Sequence, residues 1–308
     1  LSSDSSGSGN SIGRRDFLKS MFGLGGLLEA SEAQAKSGTG RTIFFWSDLK
    51  TGQIGFPTGF MVDAGLPGSV MKIVSAAALL EERLISPNET IDCKGHATIK
   101  GNRVNCLAAH GKVDAVHAIA HSCNVYFATA SKTMSQRLIL DYAEKLGLNT
   151  AVGSVKSGLF PKPEKSSSWP YVLGLSPHLH PNGLQLMRLS AIVANRGDVP
   201  YLHSAEESSQ GKSRFNLEFS DMTWGRLQQG MQLAVREGTA HKLDPANKLH
   251  VAAKTGTAPI GKKFQSWVTG YFPYDEPRYA FCLGALNGTS SEVAVPKAKE
   301  FLFATEWP

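Results

Sequence analysis

The sequence predicts an α+β fold with an antiparallel sheet flanked by helices. Three observations carry that expectation. Helical patterns cluster in the middle of the chain, strand-like runs lie before and after them, and the late strands are joined by turns too short for the crossovers that parallel pairing requires. With 308 residues, 42% of them hydrophobic and 19% charged, the chain has the composition of a globular protein with a sizeable core.

In chain order, the opening LSSDSSGSGN offers almost nothing apolar to bury and reads as a flexible lead-in. SIGRRDFLKSMFGLGGLLEASEAQA then couples Arg14 and Arg15 to a short Gly-rich apolar run and ends on Ala33, Gln34 and Ala35, a small-x-small cleavage pattern. This is the plan of an export signal, and the paired arginines before Asp16, Phe17, Leu18 and Lys19 resemble the twin-arginine class. Its apolar stretch is about half of the ~20 residues that a membrane span needs. Residues 1–35 are therefore expected to be lead-in and export signal, and residues 36–308 the working domain, exported to the periplasm or cell envelope. The competing reading is an ordinary amphipathic helix, which Glu29 and Glu32 near the cleavage pattern favour.

RTIFFWSDLKTGQIGFPTGFMV holds two apolar runs around Thr51, Gly52 and Gln53, a hairpin in which Gly52 supplies the positive φ of the turn. PGSVMKIVSAAALLEERLI starts a helix after Pro67 and Gly68, with Ser69 at its N-terminus. Further helices are expected in VDAVHAIAHSCNVYFATASKTM and in SQRLILDYAEKLGL, the latter stopped by Gly147. NTAVGSVKSGLFPKPEKSSSWP reads as a long surface loop. NGLQLMRLSAIVANRG closes on Gly197, and FSDMTWGRLQQGMQLAVREG runs from a Ser or Asp cap to Gly238. LHVAAKTGTA, SWVTGYFPY and RYAFCLGALNG form a three-strand meander, and PKAKEFLFATEW a terminal helix.

The formal charge is +6; without residues 1–35 it becomes 29 basic against 22 acidic residues, or +7. These charges are interspersed, which argues against nucleic-acid binding and is compatible with a weak attraction to anionic envelope polymer. The four cysteines include no CxxC pair, so spacing offers no metal site. Cys93 and Cys106 enclose a short loop and would be able to form a disulfide in an oxidising compartment. His117 and His121 stand one helical turn apart, but no Glu follows His117 and no third ligand suggests itself, so they read as packing or surface residues.

Three short elements carry candidate chemistry. Ser69 and Lys72 lie on one face of the first helix, where a neutral, buried lysine would take the proton of the serine hydroxyl. A second Ser-x-x-Lys, Ser209 and Lys212, sits in a polar stretch with nothing to bury its lysine. Ser122, Cys123 and Asn124 stand at a helix junction, where Ser and Asn either relay a proton and hold a substrate amide or simply cap helices. A like pair, Ser8 and Asn10, falls in the lead-in. Lys254, Thr255, Gly256 and Thr257 lie on a late strand whose Gly marks close backbone approach. There Lys254 would attract a carboxylate and depress Lys72, while the Thr257 N–H would complete an oxyanion hole with that of Ser69. The earlier Lys50, Thr51 and Gly52 is turn chemistry.

In this order the three elements form the signature of the penicillin-recognising serine acyltransferases. The chain resembles the transpeptidase domain of class B penicillin-binding proteins, and GLPGSVMKIVSAAALLEE, HGKVDAVHAIAHSCNVYFATASK, YAEKLGLN, LQLMRLSAIVANRG and VAAKTGTAPI extend the likeness over most of residues 42–290. The resemblance implies a β-lactamase/transpeptidase-like fold, a mostly helical subdomain beside the sheet and an active site in the cleft between them. It implies a D,D-transpeptidase without cofactors that cross-links peptidoglycan stem peptides through a Ser69 acyl-enzyme and is inhibited by β-lactams. Lys72 would be the base, Ser122 the proton shuttle, Asn124 a substrate contact, and Lys254, Thr255, Gly256 and Thr257 the carboxylate and oxyanion side. Cell-wall synthesis proteins are the partners such a domain implies. Two departures from the pattern stand out. A short export-type segment precedes the domain where the family usually has a pedestal and an uncleaved membrane helix, and GLSPHLHPNGLQL replaces a Thr-Pro before its helix. A D,D-carboxypeptidase shares every motif. A β-lactamase of class A would need a Glu-x-x-Leu-Asn loop, and one of class D a Ser-x-Val. A noncatalytic peptidoglycan-binding module would need a broken triad.

Overall fold

Strand β1 (Thr42–Asp48) carries TIFFWSD and is buried on both faces. Ile43 and Phe45 pack into one hydrophobic cluster while Phe44 packs into a second, as the period of two requires. The computed structural model describes residues 42–56, 64–164 and 167–307; the expected lead-in and export signal lie outside these residues. β1 turns through Gly52 into β2 (Ile54–Gly55). Asp48 Oδ1 accepts the N–H groups of Lys50 and Thr51 at 2.7 and 3.0 Å, and Gly52 has φ 83° with the Tyr201 carbonyl where a Cβ would go. The first Lys-Thr-Gly is thus a turn.

The meander forms as expected from β7 (Ala252–Ile260), β8 (Lys263–Phe272) and β9 (Tyr279–Leu286). The five-stranded sheet has the order β2-β1-β9-β8-β7 and is antiparallel throughout, which leaves β7 at an edge.

The helices in order are α1 (Met71–Glu81), α2 (Ala115–Ala120), α3 (Asn124–Ala130), α4 (Gln136–Lys145), α5 (Trp169–Val172), α6 (Gly183–Ala194), α7 (Asp221–Arg236) and α8 (Val295–Ala304). The larger cluster joins α1 and α6 to Phe45, Trp267 and Tyr271 of the sheet. On the opposite face Val295, Ala298 and Leu302 of α8 cover Phe44, Val268 and Phe281. No described helix is long and apolar enough to cross a membrane.

Local chemistry explains the boundaries. Gly147 and Gly197 adopt φ 83° and 94° just past α4 and α6. Ser220 caps α7, and Asn182 with Gln185 forms a capping box on α6. Arg188 of α6 is buried against the carbonyls of Gly147, Thr150 and Ala151, satisfying acceptors beyond the end of α4.

Two features depart from the sequence expectation, and a third agrees with it. Ser69 lies in a 3-10 turn, Gly68–Val70, ahead of α1, and its side chain caps nothing. The stretch from Ala115 to Ala130 is two helices that meet at the expected junction, broken at Ser122, whose φ is 56°. Residues 91–113 form two small sheets that no periodicity announces: β3 (Ile91–Cys93) pairs with β6 (Gly111–Val113), and β4 (His96–Ile99) with β5 (Asn102–Asn105). Each strand has three or four residues, many exposed, so the alternation is too short to read.

Candidate active site

Four segments converge where the edge of the sheet meets the helices. The 3-10 turn carries Ser69, α1 carries Lys72, the α2–α3 junction carries Ser122 and Asn124, and β7 carries Lys254 to Thr257. Close approach is possible because two residues lack side chains. A Cβ on Gly68, which has φ 54°, would lie 2.6 Å from the Thr257 carbonyl oxygen. A Cβ on Gly256 would lie 2.4 Å from that of Pro67. The indole N–H of Trp267 donates to the Leu66 carbonyl at 3.0 Å, tying β8 to the segment leading into Ser69.

The Lys72 side chain is wholly buried. Its Nζ lies 3.0 Å from Ser69 Oγ, 3.1 Å from Ser122 Oγ and 2.6 Å from the Ser122 carbonyl, and it also meets Asn124 Oδ1. Lys254, equally buried, donates to Ser122 Oγ and to the Thr255 carbonyl, both at 3.0 Å. One serine hydroxyl therefore bridges two lysines. Burial brings the Lys72 ammonium down to about 8, although the nearby Cys106 and Cys123 raise it. Burial, followed by repulsion from Lys72, holds Lys254 well below the ordinary lysine range.

The remaining groups are fixed by neighbours. Asn124 Nδ2 donates to the Asn105 carbonyl at 2.7 Å, Thr255 Oγ1 to Thr239 Oγ1 at 2.7 Å, and Thr257 Oγ1 to Ser290 Oγ at 3.1 Å. Ser69 is half-buried. The arrangement suits nucleophilic catalysis: a hydroxyl against a lysine whose neutral form is accessible near physiological pH, a second hydroxyl to relay protons, and a second lysine behind it.

Every residue of the three sequence elements comes together here. The rival Ser209 and Lys212 are both exposed on a loop, while Ser8 and Asn10 lie outside the described residues. His117 binds Asp114 through Nδ1 at 2.8 Å and is half exposed, and His121 stacks between His110 and His117. Thr239 and Ser290, which hold the two threonines, were not singled out by the sequence, because neither belongs to a local pattern.

The model of the penicillin binding protein transpeptidase domain matches residues 58–302. The chain belongs to that family. Among curated relatives it is 24% identical over 282 residues to the peptidoglycan D,D-transpeptidase MrdA of Haemophilus influenzae, covering 77% of this chain and 43% of MrdA. It is also 24% identical over 240 residues to the stage V sporulation protein D of Bacillus subtilis, covering 68% and 36%. The chain thus spans less than half the length of these relatives. Solved structures share the fold. Pseudomonas aeruginosa PBP2, solved in complex with WCK 5153, superposes with a TM-score of 0.75 at 19% identity, over 91% of this chain and 77% of that one. Helicobacter pylori PBP2, solved in complex with MreC, gives 0.73 at 18% identity, over 86% and 60%. The α+β transpeptidase fold expected from the sequence is therefore the fold of this domain.

The two thiols read as a possible disulfide are free, with Cys93 Sγ and Cys106 Sγ 3.6 Å apart. They do not stand alone. Cys123 and His110 share the same space, a convergence that the linear spacing did not disclose.

Proposed function

We propose that this penicillin-binding domain is a penicillin-sensitive serine D,D-transpeptidase acting on peptidoglycan stem peptides. The observation that carries the proposal is the Lys72 Nζ 3.0 Å from Ser69 Oγ, with Ser122 Oγ in contact with both Lys72 and Lys254. Neutral Lys72 takes the proton as Ser69 Oγ attacks the carbonyl of the penultimate D-Ala. The oxyanion forms against the backbone N–H groups of Ser69 and Thr257, and its negative charge is favoured by the neighbouring Lys254. Ser122 then passes the proton to the departing D-Ala amine. Thr255 and Thr257 receive the terminal carboxylate, and Asn124 a stem-peptide amide. The amine of a second stem, deprotonated along the same relay, attacks the acyl-Ser69 ester and restores the hydroxyl.

The site lies beside the sheet edge formed by β7, which suits an extended peptide. A chain with this activity works outside the cytoplasm, and the Arg14, Arg15 segment supports export through a twin-arginine route. Association with cell-wall synthesis proteins is supported by the relatives solved with MreC and in a peptidoglycan synthase complex.

A fluorescent penicillin should label the protein covalently, and Ser69→Ala should abolish labelling without unfolding the domain. Undiminished labelling of the variant would remove Ser69 as nucleophile. Persistent label excludes an antibiotic-hydrolysing role, which rapid turnover would favour. Product analysis with a truncated stem peptide, with and without an amine acceptor, separates transfer to the amine from release by water.

A further inference from the structure

Cys93, Cys106, His110 and Cys123 place one ligand atom each within 4.8 Å of all the others. A tetrahedral zinc ion with sulfur at about 2.3 Å and nitrogen at about 2.0 Å sets sulfurs about 3.8 Å apart and sulfur about 3.5 Å from nitrogen. Here Cys93 Sγ and Cys106 Sγ are 3.6 Å apart, Cys106 Sγ and Cys123 Sγ 3.8 Å, and Cys93 Sγ and His110 Nδ1 3.5 Å. We propose that these four side chains form a closed, four-ligand site for a soft divalent cation, zinc above all, that anchors the catalytic turn Ser122–Asn124.

The donor set argues for this class of ion. Three thiolates and an imidazole suit zinc and exclude magnesium and calcium, which prefer oxygen. Backbone N–H groups already point at the sulfurs: Val125 N donates to Cys106 Sγ and Tyr126 N to Cys123 Sγ, both at 3.3 Å. Such outer bonds orient and stabilise ligating thiolates.

The position in the fold supplies the role. Cys93 ends β3, Cys106 and His110 lie in the loop after β5, and Cys123 sits inside the Ser-x-Asn element itself. Cys106 directly follows Asn105, whose carbonyl holds the Asn124 amide. One ion would therefore brace both sides of that contact and keep Ser122, at φ 56°, facing the two lysines. The lysines and serines do the chemistry; the metal site is a positioning device. Only its catalytic arm rests on the function proposed above.

The test uses the full chain, reduced and stripped with a chelator, then titrated with Zn2+ or Co2+ alone. The expected result is one equivalent bound, a tetrahedral Co2+ spectrum with a thiolate-to-metal band, and a rise in melting temperature with added Zn2+. Cys93→Ser and His110→Ala, neither of them a catalytic residue, should each weaken Zn2+ binding by more than about tenfold. Restoring Zn2+ to stripped protein should also restore the rate of penicillin labelling. Three outcomes overturn the site: no stoichiometric binding by the reduced wild type, an octahedral Co2+ spectrum, or recovery of the exported protein with a Cys93–Cys106 disulfide and no metal. The stripped wild type keeps the test decisive if a variant fails to fold. Stoichiometric binding with an unchanged labelling rate would overturn the anchoring role. Normal binding by a protein that no penicillin labels would refute the transpeptidase reading and leave the metal site standing.

Discussion

At the scale of single residues, the decisive quantity is the protonation of Lys72. A lysine in water is about 99.9% charged at pH 7, and a charged Lys72 has no lone pair to take the Ser69 proton. Burial lowers it to about 8, so about a tenth of the molecules are poised at neutrality. The acylation rate constant should accordingly rise about tenfold per pH unit below about 8 and level off above it, a profile that stopped-flow labelling with a chromogenic β-lactam reads directly. A rate that keeps climbing past pH 10 would assign the base to an unshifted amine. The pair stands out from Ser209 and Lys212 because an apolar helical stretch follows it and because Ser-x-Asn and Lys-Thr-Gly come after it in the order of the family signature. The shift is not legible, because it depends on which side chains from other segments exclude water.

At the scale of elements, the site depends on backbones meeting where no Cβ intervenes. Gly256 sits against the Pro67 carbonyl, and backbone cannot swing aside as a side-chain end would. Gly256→Ala should lower stability by about 1–3 kcal/mol and slow acylation, because the strand must back away from the Ser69 turn. Gly225, inside α7 with nothing within 4 Å of its would-be Cβ, is the contrasting case. Gly225→Ala should raise stability by about 0.5–1 kcal/mol through helix propensity alone. Urea denaturation of the two variants, with penicillin labelling alongside, checks both. The late Lys-Thr-Gly was readable as an element stripped of bulk, but its partner across the gap, the turn at Pro67 and Gly68, was not.

At the scale of the whole molecule, packing the helices against the sheet buries two lysines at one junction. This opposes stability: holding Lys72 at about 8 against an ordinary 10.5 costs the fold about 3 kcal/mol at neutral pH. The sign follows from proton binding. The folded pKa is the lower one, so between about 8 and 10.5 the unfolded chain binds the proton more tightly, and stability rises with pH across that window. Lys72→Met lacks this rise. Any stability advantage of the variant over wild type at pH 7.5 should therefore shrink by about 2 kcal/mol by pH 10, as measured by paired denaturant titrations. An unchanged difference would mean that Lys72 is not depressed. The site is thus stabilised for chemistry at the expense of the fold, a trade that no local pattern in the sequence reveals.

The sequence by itself determined the α+β layout, the three-strand meander and the turn role of Lys50 to Gly52, and it nominated Ser69, Lys72, Ser122, Asn124 and Lys254 to Thr257 as candidates. The layout and the turn are read from periods of two and about 3.6 residues and from turn chemistry, which act over short stretches of chain, and the candidates from three motifs whose order resembles a known family. Only the tertiary structure decided that Ser122 would face both lysines, that Thr239 and Ser290 would hold the threonines, and that Cys93, Cys106, His110 and Cys123 would meet. Those contacts join β3, a loop, a helix junction and a distant strand, and their distances are set by how the core packs rather than by spacing along the chain.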